Sequence, residues 1–172
     1  MAKLSPRYSI GDRVAHRNYG IGQIDCIENK PINGVQVDCF RVKTHNSVYW
    51  FPTDSKDNPR VHPLATKVLI QRVIEILQSA PHGLENDPMQ WKERIDDVWA
   101  SGDILSISRL IRDLTALKTN KKLIRIQDQA LKNLKDCLLR EWAASLQVDA
   151  KSIQPKLRAY LKISSANFQS AA

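Results

Sequence analysis

The sequence lacks long apolar runs. No stretch approaches the roughly 18 consecutive apolar residues that a membrane-spanning helix needs, and the opening segment MAKLSPRYSIGDRV has no apolar run of the kind found in a signal peptide. At 42% hydrophobic and 26% charged residues, a chain of 172 residues can bury one substantial core or two small ones. These features predict a folded, intracellular protein without membrane contact.

Cysteine and histidine are scarce and scattered. The three cysteines, Cys26, Cys39 and Cys137, are odd in number and form no C-x-x-C pair, so free thiols are expected rather than a disulfide framework. The histidines share no H-x-x-x-H or other metal-ligand spacing. We therefore expect no metal site. The four histidines are His16, His45, His62 and His82.

Catalytic motifs are also missing. The sequence contains no G-x-x-x-x-G-K phosphate loop, no nucleophile elbow and no obvious pair of carboxylates with a histidine. An enzyme is therefore not expected, and no cofactor is expected either.

The net charge of +8 is distributed unevenly along the chain. Residues 1–64 carry 9 Lys and Arg against 6 Asp and Glu, residues 65–117 carry 6 against 8, and residues 118–172 carry 11 against 4. Positive charge concentrated in one part of a chain is typical of proteins that contact polyanions, most often nucleic acid. The alternative is a solvated helical surface rich in lysine, and charge alone favours neither strongly.

Residues 1–64 have the pattern of a small antiparallel sheet. Four β-type runs, DRVAH, GIGQIDCIE, VQVDCFRV and SVYWF, are separated by turn residues, and Asn33-Gly34 is the strongest hairpin signal. On that hairpin, Cys26 and Cys39 would share a face without being directly opposite each other. Four or five short strands fit an SH3-like or Tudor-like barrel, because closure removes exposed edges. The next segment, PTDSKDNPRVHP, is predicted to be a linker.

From residue 65 the hydrophobic period becomes helical, which predicts a compact all-α domain over residues 65–172 and an α+β fold class for the chain. Asp87-Pro88 is typical of a helix start, and Ser101-Gly102-Asp103 of a helix end followed by a new cap. A last short helix is expected from Asp149 to Leu161, where Pro155 complicates its start. Three apolar stripes define the expected core: Leu69, Val73, Ile76 and Leu77; Ile104, Ile107, Leu110, Ile111, Leu114 and Leu117; Leu131, Leu134, Leu138 and Trp142.

Two tryptophans lie eight residues apart on one predicted helix. The spacing i, i+4, i+7, i+8 of a buried face is occupied by Trp91, Ile95, Val98 and Trp99. Trp99 is predicted to be a core residue. Trp91 lies in the first turn, beside free backbone N–H groups and the positive end of the helix dipole, where phosphates are commonly bound. Core and surface roles for Trp91 both stay open on spacing alone.

Two segments of the chain carry recognisable motifs. YSIGDRVAHRNYGIGQIDCIENKPINGVQVDCFRVK resembles the opening of the CarD-like bacterial transcription regulators, whose N-terminal module is shared with transcription-repair coupling factor. MQWKERIDDVWASGDILSISRLIRDL resembles the start of their helical C-terminal domain, notably at Trp91, at SGD (Ser101 to Asp103) and at RDL (Arg112 to Leu114). The resemblance covers residues 8–146, and the stretch after about Val148 extends beyond the family's usual pattern.

The resemblance implies a non-enzymatic initiation factor that binds RNA polymerase and promoter DNA together. In the family, the N-terminal barrel grips the polymerase β subunit, largely by pairing an edge strand. The helical domain reaches the upstream edge of the transcription bubble, where a tryptophan at the position of Trp91 wedges into the minor groove and stabilises the open complex. We therefore expect a monomeric, cytoplasmic, nucleoid-associated protein that binds polymerase through residues 1–64 and DNA through residues 65–172.

The resemblance also assigns DNA-binding positions. Trp91 matches the wedge, Arg94 matches a basic position that contacts the DNA backbone near the fork, and Lys135 aligns with a basic position on the long helix. Basic residues that would extend this patch are Lys118, Lys121, Lys122, Arg125 and Lys132. The alternatives are that Arg94 pairs with Asp97 or Glu93, and that the charge run is a solvated face.

On the polymerase side, Lys30 and Trp50 fall at positions of the β-subunit contact. Trp50 departs from the family pattern, since a basic residue is frequent there. An exposed aromatic suits an interface, and a place in the barrel core is the alternative. Glu93 also departs, because the family pattern allows arginine there, and a negative charge beside the wedge would weaken the attraction for phosphates.

A rival function is a Tudor-like module that binds RNA or the ribosome without contacting polymerase. Such a module would need exposed barrel aromatics that stack on single-stranded bases. Tyr49, Trp50 and Phe51 are consecutive, so alternate side chains would face opposite ways along a strand. This alternation weakens a stacking platform without excluding it.

Overall fold

The computed structural model describes residues 8–16, 18–54, 60–83 and 87–170. The chain forms two compact units, Met1–Leu64 and Ala65–Ala172, which we call the β unit and the helical unit. The strands of the β unit are β1 (Arg13–His16), β2 (Gly20–Ile32), β3 (Val35–Thr44), β4 (Val48–Pro52) and β5 (Val61–Pro63). The helices of the helical unit are α1 (Lys67–Gln78), α2 (Pro88–Ser101), α3 (Ile104–Asn120), α4 (Arg125–Leu146) and α5 (Ala150–Ser170).

The described strands of the β unit form one antiparallel sheet in the order β4-β3-β2-β1-β5. Apolar side chains alternate with exposed ones along the strands, so one face is buried. The pairing of β2 with β3 shifts register between Ile24 and Cys26, a bulge of the kind that increases local twist. The buried face consists of Tyr8, Val14, Ile24, Phe40, Val42, Tyr49, Phe51 and Val61.

The predicted turn at Asn33-Gly34 is confirmed. Asn33 and Gly34 both have positive φ, 51° and 81°, which a two-residue type I′ hairpin turn requires. Ile32 is consequently paired with Val35. The turn thereby fixes which side chains of β2 and β3 face the core, since a slip of one residue would reverse every side chain.

Within the described residues, Cys26, Cys39 and Cys137 form no disulfide. Cys26 lies opposite Arg41, and Cys39 lies opposite Glu28. The two thiols therefore share a face of the hairpin without facing each other, as the Asn-Gly register predicts. Cys39 is buried, and this burial raises the pKa of its thiol above the ordinary value.

The linker prediction over residues 52–63 is wrong at both ends, because Pro52 ends β4 and Val61–Pro63 form β5, which pairs with β1. Residues 55–59 of the predicted linker lie outside the described residues. Val61 is buried in the core, and its carbonyl accepts a 3.2 Å hydrogen bond from the hydroxyl of Tyr8. Pro63 is tolerated because β5 stands at the end of the sheet order, where a missing N–H costs no ladder bond. Burial and strand pairing therefore outweigh the local turn signals.

The helical unit buries the predicted stripes in one core. All six predicted positions of α3 and all four of α4 are buried. In α1 the buried residues are Ile70, Val73 and Leu77. The predicted Leu69 and Ile76 are half-buried instead. Together with the sheet, these helices confirm the α+β fold class.

The predicted boundaries of α2 are also confirmed. Asp87 accepts a 2.9 Å hydrogen bond from a first-turn N–H, and Pro88 occupies the first helical position. Gly102 ends α2 in the left-handed conformation with φ of 63°. Asp103 then caps α3 by accepting a 2.8 Å hydrogen bond from another first-turn N–H. These side chains satisfy backbone donors that have no partner inside the helix.

The last helix is longer than predicted. α5 continues to Ser170 rather than ending at Leu161, and Pro155 lies inside it. Pro155 is in the second turn, where it removes one internal hydrogen bond, and the burial of the α5 stripe offsets this loss. The buried stripe of α5 holds the helix on the core and consists of Ile153, Leu157, Leu161 and Ser164.

The extension of α5 is fixed to the end of α1. Ser164 Oγ donates a 2.7 Å hydrogen bond to the carbonyl of Ser79. Asn167 Nδ2 donates a 2.9 Å hydrogen bond to the carbonyl of Gln78. The last carbonyls of a helix have no partner within it, so α5 supplies the donors that the end of α1 needs.

We expect Gly22→Ala to destabilise the β unit. A Cβ at position 22 would lie 2.5 Å from Cγ1 of Val42 and 2.8 Å from the backbone oxygen of Lys43, and backbone cannot shift cheaply. Overpacking of this kind costs about 1–3 kcal/mol, which should appear as reduced hydrogen-exchange protection of the β2 and β3 amides. Gln36→Ala, on the exposed part of the same hairpin, is the control. Equal protection in both variants would contradict the close packing at Gly22.

Candidate functional site

Glu28, Lys30, Arg41 and Trp50 meet on the outer face of the β2–β3–β4 sheet, and we call them the Glu28 cluster. Lys30 Nζ lies 2.9 Å from Glu28 Oε2, and Trp50 Nε1 donates to the same oxygen at 3.0 Å. Arg41 Nε lies 3.6 Å from Glu28 Oε1. Lys30 Nζ also lies 4.4 Å from the centre of the Trp50 ring, a cation–π distance. Two cations and one indole therefore share a single carboxylate.

The charges of this cluster reinforce one another. The hydrogen bond from Lys30 holds the pKa of Glu28 below its ordinary value, and Trp50 and Arg41 act in the same direction. Glu28 is thus ionised at neutral pH. Exposed ion pairs contribute little to folding stability, so the effect of these contacts is to hold the side chains of Lys30 and Trp50 in one arrangement.

The cluster brings together the two residues that the resemblance assigns to the polymerase contact. The side chain of Lys30 is 37% exposed, and Trp50 is 42% exposed, which excludes a core position for Trp50. Trp50 belongs to β4, at one end of the sheet order. Within the described residues, the outer backbone edge of β4 is therefore available for strand pairing.

A platform of three consecutive aromatic rings is not formed. Tyr49 and Phe51 are buried, with 5% and 3% exposed surface, and both belong to the core of the β unit. Trp50 alone of the three faces outward. This arrangement follows the strand alternation predicted from the sequence and disfavours base stacking along β4.

Trp91 is a core residue of the helical unit. It is 1% exposed and belongs to the same buried cluster as Ile95 and Leu114. The guanidinium of Arg94 lies over its ring, 4.7 Å from the ring centre. The prediction that this indole protrudes from the scaffold is wrong, because α2 packs against α3 and α4 on the side that carries Trp91 and Ile95.

Trp99 was predicted to be a core residue, but it is more accessible than predicted. It is half-buried at the edge of the core and lines a groove of about 500 Å³ between α2 and α4. The more accessible indole of α2 is therefore Trp99, not Trp91. The other residues that line this groove, which we call the α2/α4 groove, are Ile95, Asp96, Arg125, Ile126, Gln129, Ala130 and Asn133.

Arg94 is held by buried ion pairs centred on Asp113, which is 1% exposed. Asp113 Oδ2 lies 2.6 Å from Arg94 Nη2. Asp113 Oδ1 lies 2.8 Å from Arg112 Nε and accepts a 3.0 Å hydrogen bond from the backbone N–H of His82. Arg112 Nη1 donates a 2.6 Å hydrogen bond to Ser79 Oγ. We call this set the Asp113 network; it connects α1, α2 and α3.

Arg94 pairs with an acid, but with neither of the two acidic neighbours on its own helix. Among the described residues, its ion-pair partner is Asp113 rather than Glu93 or Asp97. Its Nη1 also donates a 2.8 Å hydrogen bond to the carbonyl of Gly83. These contacts hold the Arg94 guanidinium over the Trp91 ring and join α2 to α3 and to Gly83.

The sequence predictions miss Asp113, although its signal is present. Arg112 and Asp113 interrupt a helix in which the flanking Ile111 and Leu114 are fully buried. Charged residues are almost never fully buried unless they are paired. Two adjacent opposite charges between the apolar positions Ile111 and Leu114 therefore indicate a buried ion pair.

Lys118, Lys132 and Lys135 lie around Asp128, and Arg158 acts electrostatically on Lys135. We call these four cations the basic surface. Lys118 Nζ lies 2.7 Å from Asp128 Oδ1, with both side chains exposed. The hydrogen bond from Lys118 lowers the pKa of Asp128, and Lys132 and Lys135 add to this effect. Lys135 is half-buried, and its burial lowers the pKa of its ammonium, as do the charges of Lys118 and Arg158. The sequence predictions did not include Arg158.

The residues assigned to DNA by the resemblance thus have different surroundings in the helical unit. The buried pair is Trp91 and Arg94, the basic surface contains Lys118, Lys132 and Lys135, and the α2/α4 groove contains Arg125. Lys121 and Lys122 are exposed between α3 and α4. No single patch therefore contains all of these residues.

Within residues 8–16, 18–54, 60–83 and 87–170, no group of three or more His, Cys, Asp or Glu side chains is arranged to hold a metal ion. In the same part of the chain, every helix is too short or too polar to cross a membrane.

Comparison with known proteins identifies both units. The model of the CarD-like/TRCF RID domain matches residues 8–64, and the model of the CarD C-terminal domain matches residues 72–158. The chain therefore belongs to the CarD family, and its β unit has a Tudor-like fold. A Bacillus subtilis (strain 168) protein named "Putative transcription factor YdeB" is 24% identical over 152 residues, which cover 86% of this chain and 97% of that protein. These matches support a role in transcription regulation and an interaction with the transcription machinery.

We expect Asp113→Asn to destabilise the helical unit strongly. The substitution leaves Arg112, which is 5% exposed, as a buried cation without its carboxylate. Breaking a buried ion pair in this way costs about 3–5 kcal/mol, measurable by urea unfolding followed through tryptophan fluorescence. Asp136→Asn makes the same chemical change at an exposed position of α4. Equal unfolding midpoints for the two variants would show that the Asp113 network does not stabilise the fold.

Proposed function

We propose that this protein is a transcription regulator that binds the RNA polymerase β subunit through its β unit and promoter DNA through its helical unit, and thereby stabilises the open promoter complex. It acts by binding, without catalysis. The observation that carries this proposal is the contact between Lys30 and Trp50 on an exposed face beside the edge strand β4. Family membership supports the regulatory role.

The Glu28 cluster has the chemistry of a protein interface. An exposed tryptophan supplies a large, rigid contact area, and tryptophan and arginine are enriched among residues that dominate binding energy. Lys30 and Arg41 would attract acidic groups on the partner. The edge of β4 adds backbone hydrogen bonds if a strand of the partner pairs with it. Trp50 is thus the anchor, and Lys30 orients the partner.

The basic surface has the chemistry of a phosphate-binding site. Three lysines lie around the Asp128 carboxylate, and Arg158 acts on one of them, Lys135. With four cations and one carboxylate, the local charge is positive. Neutralising DNA phosphates with lysine or arginine releases counterions, which supplies sequence-independent affinity that falls with salt. Such contacts position a protein on DNA without reading its sequence.

The polymerase contact strengthens the DNA contact because one chain carries both. A second contact that follows the first is effectively intramolecular, with a local concentration near the millimolar range for a short tether. Weak DNA binding by the helical unit would therefore suffice once the β unit is held by polymerase. A protein that binds the melted promoter better than the closed one shifts the equilibrium toward melting.

Trp91 is not an inserted side chain in this mechanism. To leave the core, its indole would have to displace Arg94, which is bound to Asp113 at 2.6 Å. That movement would remove one of the two cations that compensate a buried carboxylate, and the cost of such a loss is several kcal/mol. Trp91 therefore supports α2, and DNA contact falls to other residues of the helical unit.

Charge reversal at Lys30 should weaken binding to polymerase. Lys30→Glu places a second negative charge beside Glu28 and removes the cation over Trp50. We therefore expect about a 10-fold loss of affinity for the isolated β subunit, or about 1.4 kcal/mol. Surface plasmon resonance with immobilised β subunit measures it. Lys67→Glu, the same change at an exposed position of α1 in the helical unit, is the control. An affinity equal to that of the control would show that Lys30 is not part of the interface.

The lowered pKa of Lys135 predicts a pH-dependent DNA affinity. The protonated ammonium binds phosphate, and its pKa in the protein lies below the ordinary value of 10.5. Affinity should therefore fall as pH rises through this lowered pKa, before ordinary lysines lose their charge. Lys135→Arg stays charged throughout this range and should remove the early part of the decline in duplex binding measured by fluorescence anisotropy. Identical pH profiles for the two proteins would exclude Lys135 from the DNA contact.

A further inference from the structure

We propose that the α2/α4 groove binds one unpaired nucleobase of the melted promoter, with Trp99 as the stacking surface and Arg125 as the phosphate ligand. This inference rests on the proposed function, because it specifies which form of promoter DNA the helical unit holds. It concerns Trp99 and Arg125, to which the proposed function assigns no contact.

The size and walls of the groove suit a flat aromatic ligand. Its volume is about 500 Å³, and Ile95, Ile126 and Ala130 provide an apolar lining beside the half-buried Trp99. Stacking of a base on an aromatic side chain tolerates any sequence, because every base has a π-face. Trp99 is anchored by its packing against the core, so little ordering is needed when a base binds.

Polar groups in the groove match the edge of a base. Gln129 Nε2 donates a 2.9 Å hydrogen bond to Asn133 Oδ1. This bond orients both amides and leaves the Gln129 carbonyl as an acceptor and the Asn133 NH₂ group as a donor. A donor and an acceptor beside an aromatic wall can bind the hydrogen-bonding edge of an unpaired base.

The charge around the groove favours an anion at its mouth. Arg125 is exposed and has no ion-pair partner within the described residues. The one acid that lines the groove, Asp96, is neutralised by Lys92 at 2.6 Å. Arg125 also begins α4, and the preceding Ile124 offers no side-chain acceptor for the first-turn N–H groups. The positive end of α4 therefore adds to the attraction of Arg125 for a phosphate.

These features favour single-stranded nucleic acid over an apolar peptide. Residues 118–172 carry 11 basic against 4 acidic residues, and an unneutralised arginine at an apolar groove matches a ligand with a flat ring and a phosphate. A base can enter the groove only when it has left its stack, and unstacking is least costly where DNA is already melted. The groove would thus give the helical unit its preference for the open promoter.

The test uses the full chain and a fluorescent single-stranded oligothymidylate, with affinity measured by anisotropy over a range of salt concentrations. Trp99→Leu keeps an apolar side chain at the edge of the core but removes the stacking ring. We expect it to weaken binding by about 5-fold to 100-fold, the range for loss of one stacked base, with an unchanged salt slope. Trp99→Phe should recover part of the affinity.

Arg125→Gln provides an independent test, because this exposed side chain can be changed without disturbing the core. It should weaken binding and reduce the salt slope by about one unit, as expected for the loss of one phosphate contact. Arg72→Gln, the same change at an exposed position of α1, should leave both affinity and slope as in the wild type.

The outcomes separate this inference from the proposed function. Wild-type-like oligonucleotide binding by both Trp99→Leu and Arg125→Gln would overturn the base site. If Trp99→Leu instead lowered affinity for the β subunit and not for the oligonucleotide, the groove would be a protein site and the inference would be wrong. Failure of the wild type to bind polymerase or to lengthen open-complex lifetimes would overturn the proposed function, whatever the groove variants show.

Discussion

One buried carboxylate organises the helical unit. Asp113 lies between two arginines from different helices, and these pairs fix α2 relative to α1 and α3. Since an isolated buried charge is very costly, neither Arg94 nor Arg112 can leave without a large penalty. The position of α2 in turn decides that Trp91 is enclosed and that Trp99 lies at a groove. Which side chains this unit exposes therefore depends on the ion pairs of the buried Asp113.

The fold was predictable where local signals and packing agree. The stripes of α3 and α4 follow from apolar residues at helical spacing, and the turn at Asn33-Gly34 follows from the positive φ that few residues tolerate. β5 was missed because Val61 gains its burial and its partner strand only in the folded sheet. The length of α5 was missed because its hydrogen bonds reach α1, far away in sequence.

The individual residues of the candidate site were predictable, but the contacts between them were not. The resemblance named Lys30 and Trp50, yet their contact across Glu28 depends on strand register. Trp91 and Trp99 lie on one apolar stripe of α2. Their spacing alone therefore cannot tell which of the two indoles α4 leaves partly exposed. Arg94 has acidic neighbours on its own helix, but its partner Asp113 comes from α3. In each case a contact distant in sequence decided the outcome.

The hydrogen bonds from the far end of α5 to α1 also set where this protein can be shortened. The match to the CarD C-terminal domain ends at residue 158, whereas Ser164 and Asn167 act beyond it. A chain truncated at residue 158 would expose the carbonyl of Ser79, the residue whose hydroxyl receives Arg112. The family boundary would therefore cut through a cooperative folding unit, and a soluble fragment for solution work should extend past Asn167.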